Sequence, residues 1–129
     1  MQGRSGYNKT VLLVEDAEDC RYMMRRLLEM SGYRVIEAAD GREAVECARR
    51  ECPDVVLMDL NLPVMDGISA TRYIRQLEEL CDVPIIAVSA YDSDDFYDAA
   101  CRAGCNEYVT KPVDYMRLNS LLGRFCPAF

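Results

Sequence analysis

The sequence contains no histidine and no tryptophan among its 129 residues. Without histidine, acid–base catalysis by imidazole is excluded, and so are serine–histidine and cysteine–histidine nucleophiles. A histidine-ligated zinc centre is excluded as well. The seven cysteines do not repair this, because no C-x-x-C pair occurs and their number is odd. They read as reduced structural thiols, with Cys20, Cys47 and Cys101 serving as small apolar residues on helices. Positive charge is also short: 15 Lys and Arg stand against 22 Asp and Glu, for a net charge of −7. No basic stripe is present to hold nucleic-acid phosphates. Long apolar runs are missing, since none approaches the ~20 residues of a membrane-spanning helix. The chain opens without a charged-then-apolar leader. These absences predict a soluble, cytoplasmic globular protein with neither nucleic acid nor membrane as a direct partner.

What is present is a rhythm. Half of the residues are hydrophobic, enough for one domain with its own core. Residues 1–9 show no periodicity and are expected to form a flexible lead-in. Residues 10–126 are expected to form a single domain. "TVLLV" is a short strand pattern, followed by a helical one with Cys20, Met23, Met24, Leu27 and Leu28 on one face, stopped by Gly32. "RVIEA" is a second strand. Asp40 then offers a helix cap, with Glu43 at capping-box spacing and Ala44, Val45 and Ala48 on the apolar side. "DVVLM" is a third strand, and the spacing of Ala70, Ile74 and Leu77 predicts a helix from about Asp66 to Glu79. "PIIAV" is a fourth strand. Ser93 or Asp92 caps a helix carrying Phe96, Ala99, Ala100 and Ala103 and ended by Gly104. "EYVT" is a fifth strand, and Asp114 opens a last helix with Leu118, Leu121, Leu122 and Phe125 at helical spacing.

Strands alternating with helices imply right-handed crossovers and a parallel sheet covered on both faces. The expected architecture is α/β: a doubly wound (βα)5 domain with a five-stranded parallel sheet in the order 2-1-3-4-5, flavodoxin-like. In such a sheet all strand C-termini lie along one edge, where ligands bind. Glu15 and Asp16 follow the first strand, Asp59 the third, Ser89 the fourth and Lys111 the fifth. Only the second strand contributes nothing comparable. Three clustered carboxylates repel one another and call for a hard divalent cation, for which magnesium is suited. Such a cation bridges a carboxylate and a phosphoryl group during phosphoryl transfer. Lys111 is a point charge for a phosphoryl oxygen, and Ser89 donates a hydrogen bond to the same group. Asp59, kept ionised by these neighbours, is a nucleophile toward phosphorus.

With these residues in place, the chain resembles the receiver domain of two-component response regulators. The resemblance runs from about Thr10 to Phe125 and rests on "VLLVEDAED", "VVLMDLNLPVMDG", "IIAVSA" and "YVTKP", in that order. It implies that Asp59 is the phosphoacceptor and Asp16 the direct magnesium ligand, with Glu15 acting mainly through water. Asn61 gives its backbone carbonyl to the metal. Lys111 pairs with Asp59 and then with the phosphoryl group. Ser89 is the switch hydroxyl and Tyr108 the switch aromatic. Pro63 and Gly67 shape the loop after Asp59, and the Lys111–Pro112 bond is expected to be cis. The family takes its phosphoryl group from the phosphohistidine of a sensor kinase or a histidine phosphotransfer protein. It signals to a downstream effector through the face of the fourth helix, fifth strand and fifth helix. It is not an enzyme beyond its own phosphorylation and dephosphorylation. Two departures are mild: the acidic pair is Glu–Asp rather than Asp–Asp, and the hydroxyl is Ser rather than Thr. Tyr91, two residues past Ser89, is bulky and is expected to screen the phosphoryl group from water.

Three other functions compete. A haloacid-dehalogenase-type phosphatase wants a D-x-D-x-T-like run after the first strand, whereas here the acceptor-like Asp59 follows the third, and Asn61 stands where a second acid belongs. A flavodoxin-like carrier needs a Ser/Thr/Gly-rich loop after the first strand, where this chain has "EDAED". A non-phosphorylated pseudo-receiver lacks one of the key residues, and none is missing here.

Overall fold

Short apolar runs form the middle of a five-stranded sheet because both of its faces are covered, so alternation with polar residues is not needed. The computed structural model describes residues 9–127. The expected flexible lead-in lies outside the described residues except for Lys9, whose carbonyl accepts from Arg34 N at 2.9 Å. The strands are β1 (Thr10–Val14), β2 (Arg34–Ala38), β3 (Val55–Asp59), β4 (Ile85–Ser89) and β5 (Glu107–Thr110). The helices are α1 (Glu18–Met30), α2 (Gly41–Glu51), α3 (Gly67–Gln76), α4 (Asp94–Ala103) and α5 (Tyr115–Phe125). The sheet order is β2-β1-β3-β4-β5 and every pairing is parallel. β1, β3 and β4 are buried at every position.

Successive side chains of a strand point to opposite faces, so the sheet builds two cores. Leu12, Val14, Val56, Met58, Ile85 and Ala87 pack with Ala44 and Ala48 of α2, Ala70 and Ile74 of α3 and Ala100 of α4. Val11, Leu13, Val55, Leu57, Ile86 and Val109 pack with Leu28 of α1 and Leu118, Leu121 and Leu122 of α5. Burying each such leucine or isoleucine stabilises the fold by roughly 1.5–3 kcal/mol.

The helix starts follow local chemistry. Asp40 accepts from Glu43 N at 2.7 Å, and the Glu43 carboxylate accepts from Ala39 N at 2.8 Å, one residue before the cap. Asp66 accepts from Ser69 N at 2.9 Å, and Asp114 accepts from Met116 N at 3.0 Å. Of the two candidates for α4, Ser93 is the cap, accepting from Phe96 N at 3.3 Å. Gly104 closes that helix at φ +117°, a left-handed conformation costly for any residue with a Cβ.

Two expectations need correction. The third helix stops at Gln76 rather than Glu79, and Glu78–Leu80 form a separate 3-10 turn. Leu77 turns extended at φ −79°, ψ 122°, while Arg75 ties the junction by donating to Leu80 O and to Gly104 O. The helical cysteines also differ from one another: Cys47 is buried, but Cys20 and Cys101 are exposed. On α1 only Leu28 is buried, and Met23 is 58% exposed. Cys20 and Met23 line a cleft instead of the core. All seven cysteines are free thiols.

Candidate functional site

The parallel register brings the strand ends level. Val14 stands beside Met58, Asp59 beside Val88, and Ser89 beside Thr110. The residue that leaves each of these strands therefore opens onto the same edge. Glu15 is 8% exposed and Asp59 2%, while Asp16 is exposed to solvent. One carboxylate oxygen from each of Glu15, Asp16 and Asp59 lies within 4.8 Å of the others. Lys111 Nζ donates to Asp59 Oδ2 at 2.8 Å and to Glu15 Oε1 at 3.1 Å. Burial pushes the Lys111 ammonium down in pKa. The hydrogen bonds and charges of Asp59 and Glu15 outweigh that and hold it above the usual lysine value.

The remaining oxygens are also engaged. Glu15 Oε2 accepts from Ala17 N at 3.0 Å, and Asp59 Oδ1 accepts from Asn61 N at 2.9 Å. Asn61 therefore meets Asp59 through its backbone N–H. Gly67 is required for another reason: a Cβ there would sit 2.2 Å from the Asp59 carbonyl oxygen, so the loop packs directly on the acceptor's backbone. Val64, 77% exposed, holds a left-handed φ of 67° at the tip of this loop, where Met65 N donates to Pro63 O at 2.7 Å. The Lys111–Pro112 bond is cis, as expected.

One ammonium for three carboxylates leaves the cluster two negative charges in excess. Its donors are hard oxygens, as Mg2+ prefers, and the pair inside the fold is costly to leave uncompensated. The donor set therefore fits a divalent cation. Beside it opens a cleft of about 250 Å3, lined by Glu15, Asp59 and Lys111 together with Cys20, Met23 and Val113.

The residues expected to switch form a second group. Ser89 is fully buried, and its Oγ accepts from Tyr91 N at 3.0 Å. The Tyr108 hydroxyl donates to the Tyr91 carbonyl. Tyr91 thus links the two residues expected to switch. Its ring stacks on Phe96, with centroids 4.7 Å apart and planes 12° apart, and it is 50% exposed. Its ring therefore rests on α4, to which Phe96 belongs. Tyr108 packs against Tyr97 with centroids 5.7 Å apart.

Sequence patterns alone do not point to Arg21 and Glu37. Arg21 Nη1 donates to the Glu15 carbonyl at 2.9 Å, and Arg21 Nε donates to Glu37 Oε1 at 3.0 Å. Glu37 belongs to β2, so the second strand does reach the pocket, through a guanidinium. Arg21 stands five residues after Asp16, but nothing local marks its partner, which lies sixteen residues further on.

The model of the response regulator receiver domain family matches residues 11–122. The chain belongs to that family. The receiver domain is 38% identical over 109 residues to the polar-differentiation response regulator DivK of Brucella ovis, covering 84% of this chain and 89% of that protein. Its fold matches the receiver domain of a sensor histidine kinase from Pseudomonas aeruginosa with a TM-score of 0.86 and 41% identity, over 92% of this chain and 97% of that one. That domain was solved with a magnesium ion coordinated in its active site cleft. The chemotaxis protein CheY4 of Vibrio cholerae gives a TM-score of 0.87 at 30% identity, over 92% and 98% of the two chains. The acidic pocket of the receiver domain is compatible with Mg2+ and with phosphorylation of an aspartate. The phosphatase and pseudo-receiver alternatives are not favoured, and the order β2-β1-β3-β4-β5 is that of the family's fold. Among the described residues no helix is long and apolar enough to cross a membrane.

Proposed function

We propose that Asp59 is the phosphoacceptor of a receiver domain spanning residues 10–126, and that it takes its phosphoryl group from a phosphohistidine. The donor is a sensor histidine kinase or a histidine phosphotransfer protein. An Asp59 carboxylate oxygen attacks phosphorus, the O–P bond forms, and the N–P bond to the donor imidazole breaks. The electron pair of that bond leaves with the imidazole, which picks up a proton. Mg2+, when bound, neutralises charge on the phosphoryl oxygens. Asp16 and Asp59 would ligate it directly, Glu15 through water, and Asn61 through its carbonyl. Lys111 pairs with Asp59 beforehand and then moves its charge onto the phosphoryl group. Ser89 gives up its bond from Tyr91 N and donates its hydroxyl to a phosphoryl oxygen.

That exchange is the switch. Tyr91 N loses its acceptor, and Tyr91 O is bonded to the Tyr108 hydroxyl, so the β4–α4 loop and Tyr108 are displaced together. Tyr108 turns inward, and the face of α4, β5 and α5 changes its affinity for a downstream effector. A phosphoryl group need favour one arrangement by only a few kcal/mol to invert the populations. The domain is not an enzyme beyond making and losing its own phosphate, and it works in the cytoplasm.

The observation that carries this reading is the meeting of Glu15, Asp16 and Asp59 within 4.8 Å, with Lys111 at 2.8 Å from Asp59. Incubation with acetyl phosphate and Mg2+ should label the protein, with the adduct located by mass spectrometry. Asp59→Asn should not be labelled. Labelling that persists in that variant defeats the assignment.

A further inference from the structure

Arg21 and Glu37 lie outside the phosphoryl chemistry, yet their contacts converge on its metal-binding turn. The Glu15 backbone is tied to β2 at two points, directly through its N–H and through Arg21 at its carbonyl. Its N–H donates to Ala38 O at 3.0 Å, and its carbonyl accepts from Arg21, which Glu37 anchors. The Arg21 side chain is only 19% exposed and that of Glu37 30% exposed, so the pair is shielded. The carbonyl of Glu15 and the N–H of Asp16 share one planar peptide unit. Turning that plane swings Asp16, whose carboxylate is exposed. Arg21 grips that plane.

We propose that Arg21, backed by Glu37, is a positioning residue that sets the affinity of the acidic pocket for a divalent cation. The inference rests on the reading of that pocket as the Mg2+ site. The charge of Arg21 works in the opposite direction, because a cation beside the pocket repels Mg2+. Glu37 neutralises that charge at 3.0 Å, so the effect of geometry dominates the effect of the field. Only a forked guanidinium reaches the Glu15 carbonyl and the Glu37 carboxylate at once, and a lysine at this position keeps the charge but loses one contact.

The test is Mg2+ titration of the unphosphorylated protein, followed by calorimetry and tyrosine fluorescence, with thermal unfolding measured in the absence of cation. Arg21→Lys should weaken Mg2+ binding about tenfold, as for other groups that orient metal ligands. Arg21→Met should weaken it at least as much, despite losing a repelling charge. Glu37→Gln should weaken it by a few-fold. Arg25→Met is the control: Arg25 also donates to Glu37, at 2.8 Å, but makes no bond to Glu15, and Mg2+ affinity should stay within about twofold. A purely structural pair would lower the unfolding temperature of Arg21→Lys and leave its Mg2+ affinity at the wild-type value, which overturns the inference. Tighter binding by Arg21→Met overturns it too, since the field would then outweigh the geometry. A wild-type protein that takes up no Mg2+ brings down the pocket reading and this inference together. Wild-type binding with an unaltered Arg21→Lys brings down the inference alone.

Discussion

The two sides of the receiver domain's functional edge are built from different interactions. On the β1–β3 side, Glu15 and Asp59 are buried, and charged groups bond to them: Lys111 to both carboxylates and Arg21 to the Glu15 carbonyl. On the β4–β5 side, neutral hydrogen bonds link Ser89, Tyr91 and Tyr108, and near the surface the Tyr91 ring stacks on Phe96 while Tyr108 packs at a tilt against Tyr97. Charge-assisted bonds are about twice as strong as neutral ones. Regions with few buried contacts open at lower free energy. The first side is therefore suited to hold an ion in fixed geometry, and the second to exchange one set of weak contacts for another.

The sharpest break in this contrast is Gly67→Ala. Its Cβ would meet the Asp59 carbonyl at 2.2 Å, so the rigid side must deform. A loss of about 3 kcal/mol in denaturant unfolding is expected, with phospholabelling reduced alongside. Unchanged stability would mean that the loop yields easily.

Lys111→Met comes next. Two buried carboxylates lose their ammonium, but Lys111 is itself 32% exposed, so the cost is about 2 kcal/mol rather than the full penalty of breaking a buried pair. Added Mg2+ should restore more stability to this variant than to wild type, because the competing ammonium is gone. The pH dependence follows from the raised value of Lys111. Its contribution is complete below the ordinary lysine value of about 10.4 and is lost as pH rises through the higher folded value. Wild type should therefore lose stability across that alkaline window more steeply than Lys111→Met, as judged by urea midpoints.

Tyr108→Phe acts on the other side. It keeps the ring against Tyr97 and removes the bond to Tyr91 O. The expected cost is about 1 kcal/mol or less, with Mg2+ affinity untouched. A fall in Mg2+ affinity would show that the two sides are coupled in the unphosphorylated state. Tyr91→Ala should have the smallest effect on chemistry, because the ring stacks on Phe96 of α4. The phosphoryl lifetime should change by less than about threefold, and a much shorter lifetime would restore the screening role expected from the sequence.

Much of this edge is legible in the order of residues along the chain. The helix caps at Asp40, Asp66 and Asp114 follow from side chains reaching backbone N–H groups two or three residues on. Acids, hydroxyl and amine at strand ends follow from the parallel sheet that alternating strands and helices require. Cys20 and Cys101 depart from their expected burial, because a helical period says which residues share a face but not what covers that face. The end of α3 falls short of its apolar pattern: Leu77 turns extended where Arg75 is tied to Gly104, twenty-nine residues away. Arg21 escapes a reading of local pattern for the same reason, its anchor lying on a neighbouring strand.

By itself the sequence determined the alternation of strand and helix, the apolar faces, the caps, and which residue types stand where each strand stops. Those are decided within a few residues by periodicity and local hydrogen bonding. Only the tertiary structure decided that three carboxylates come within 4.8 Å, that one lysine serves two of them, that Arg21 of α1 bonds both the Glu15 carbonyl and Glu37 of β2, and that Tyr91 lies on α4. Such distances depend on register across the sheet and on how crossovers pack, and neither is encoded in any single stretch of the chain.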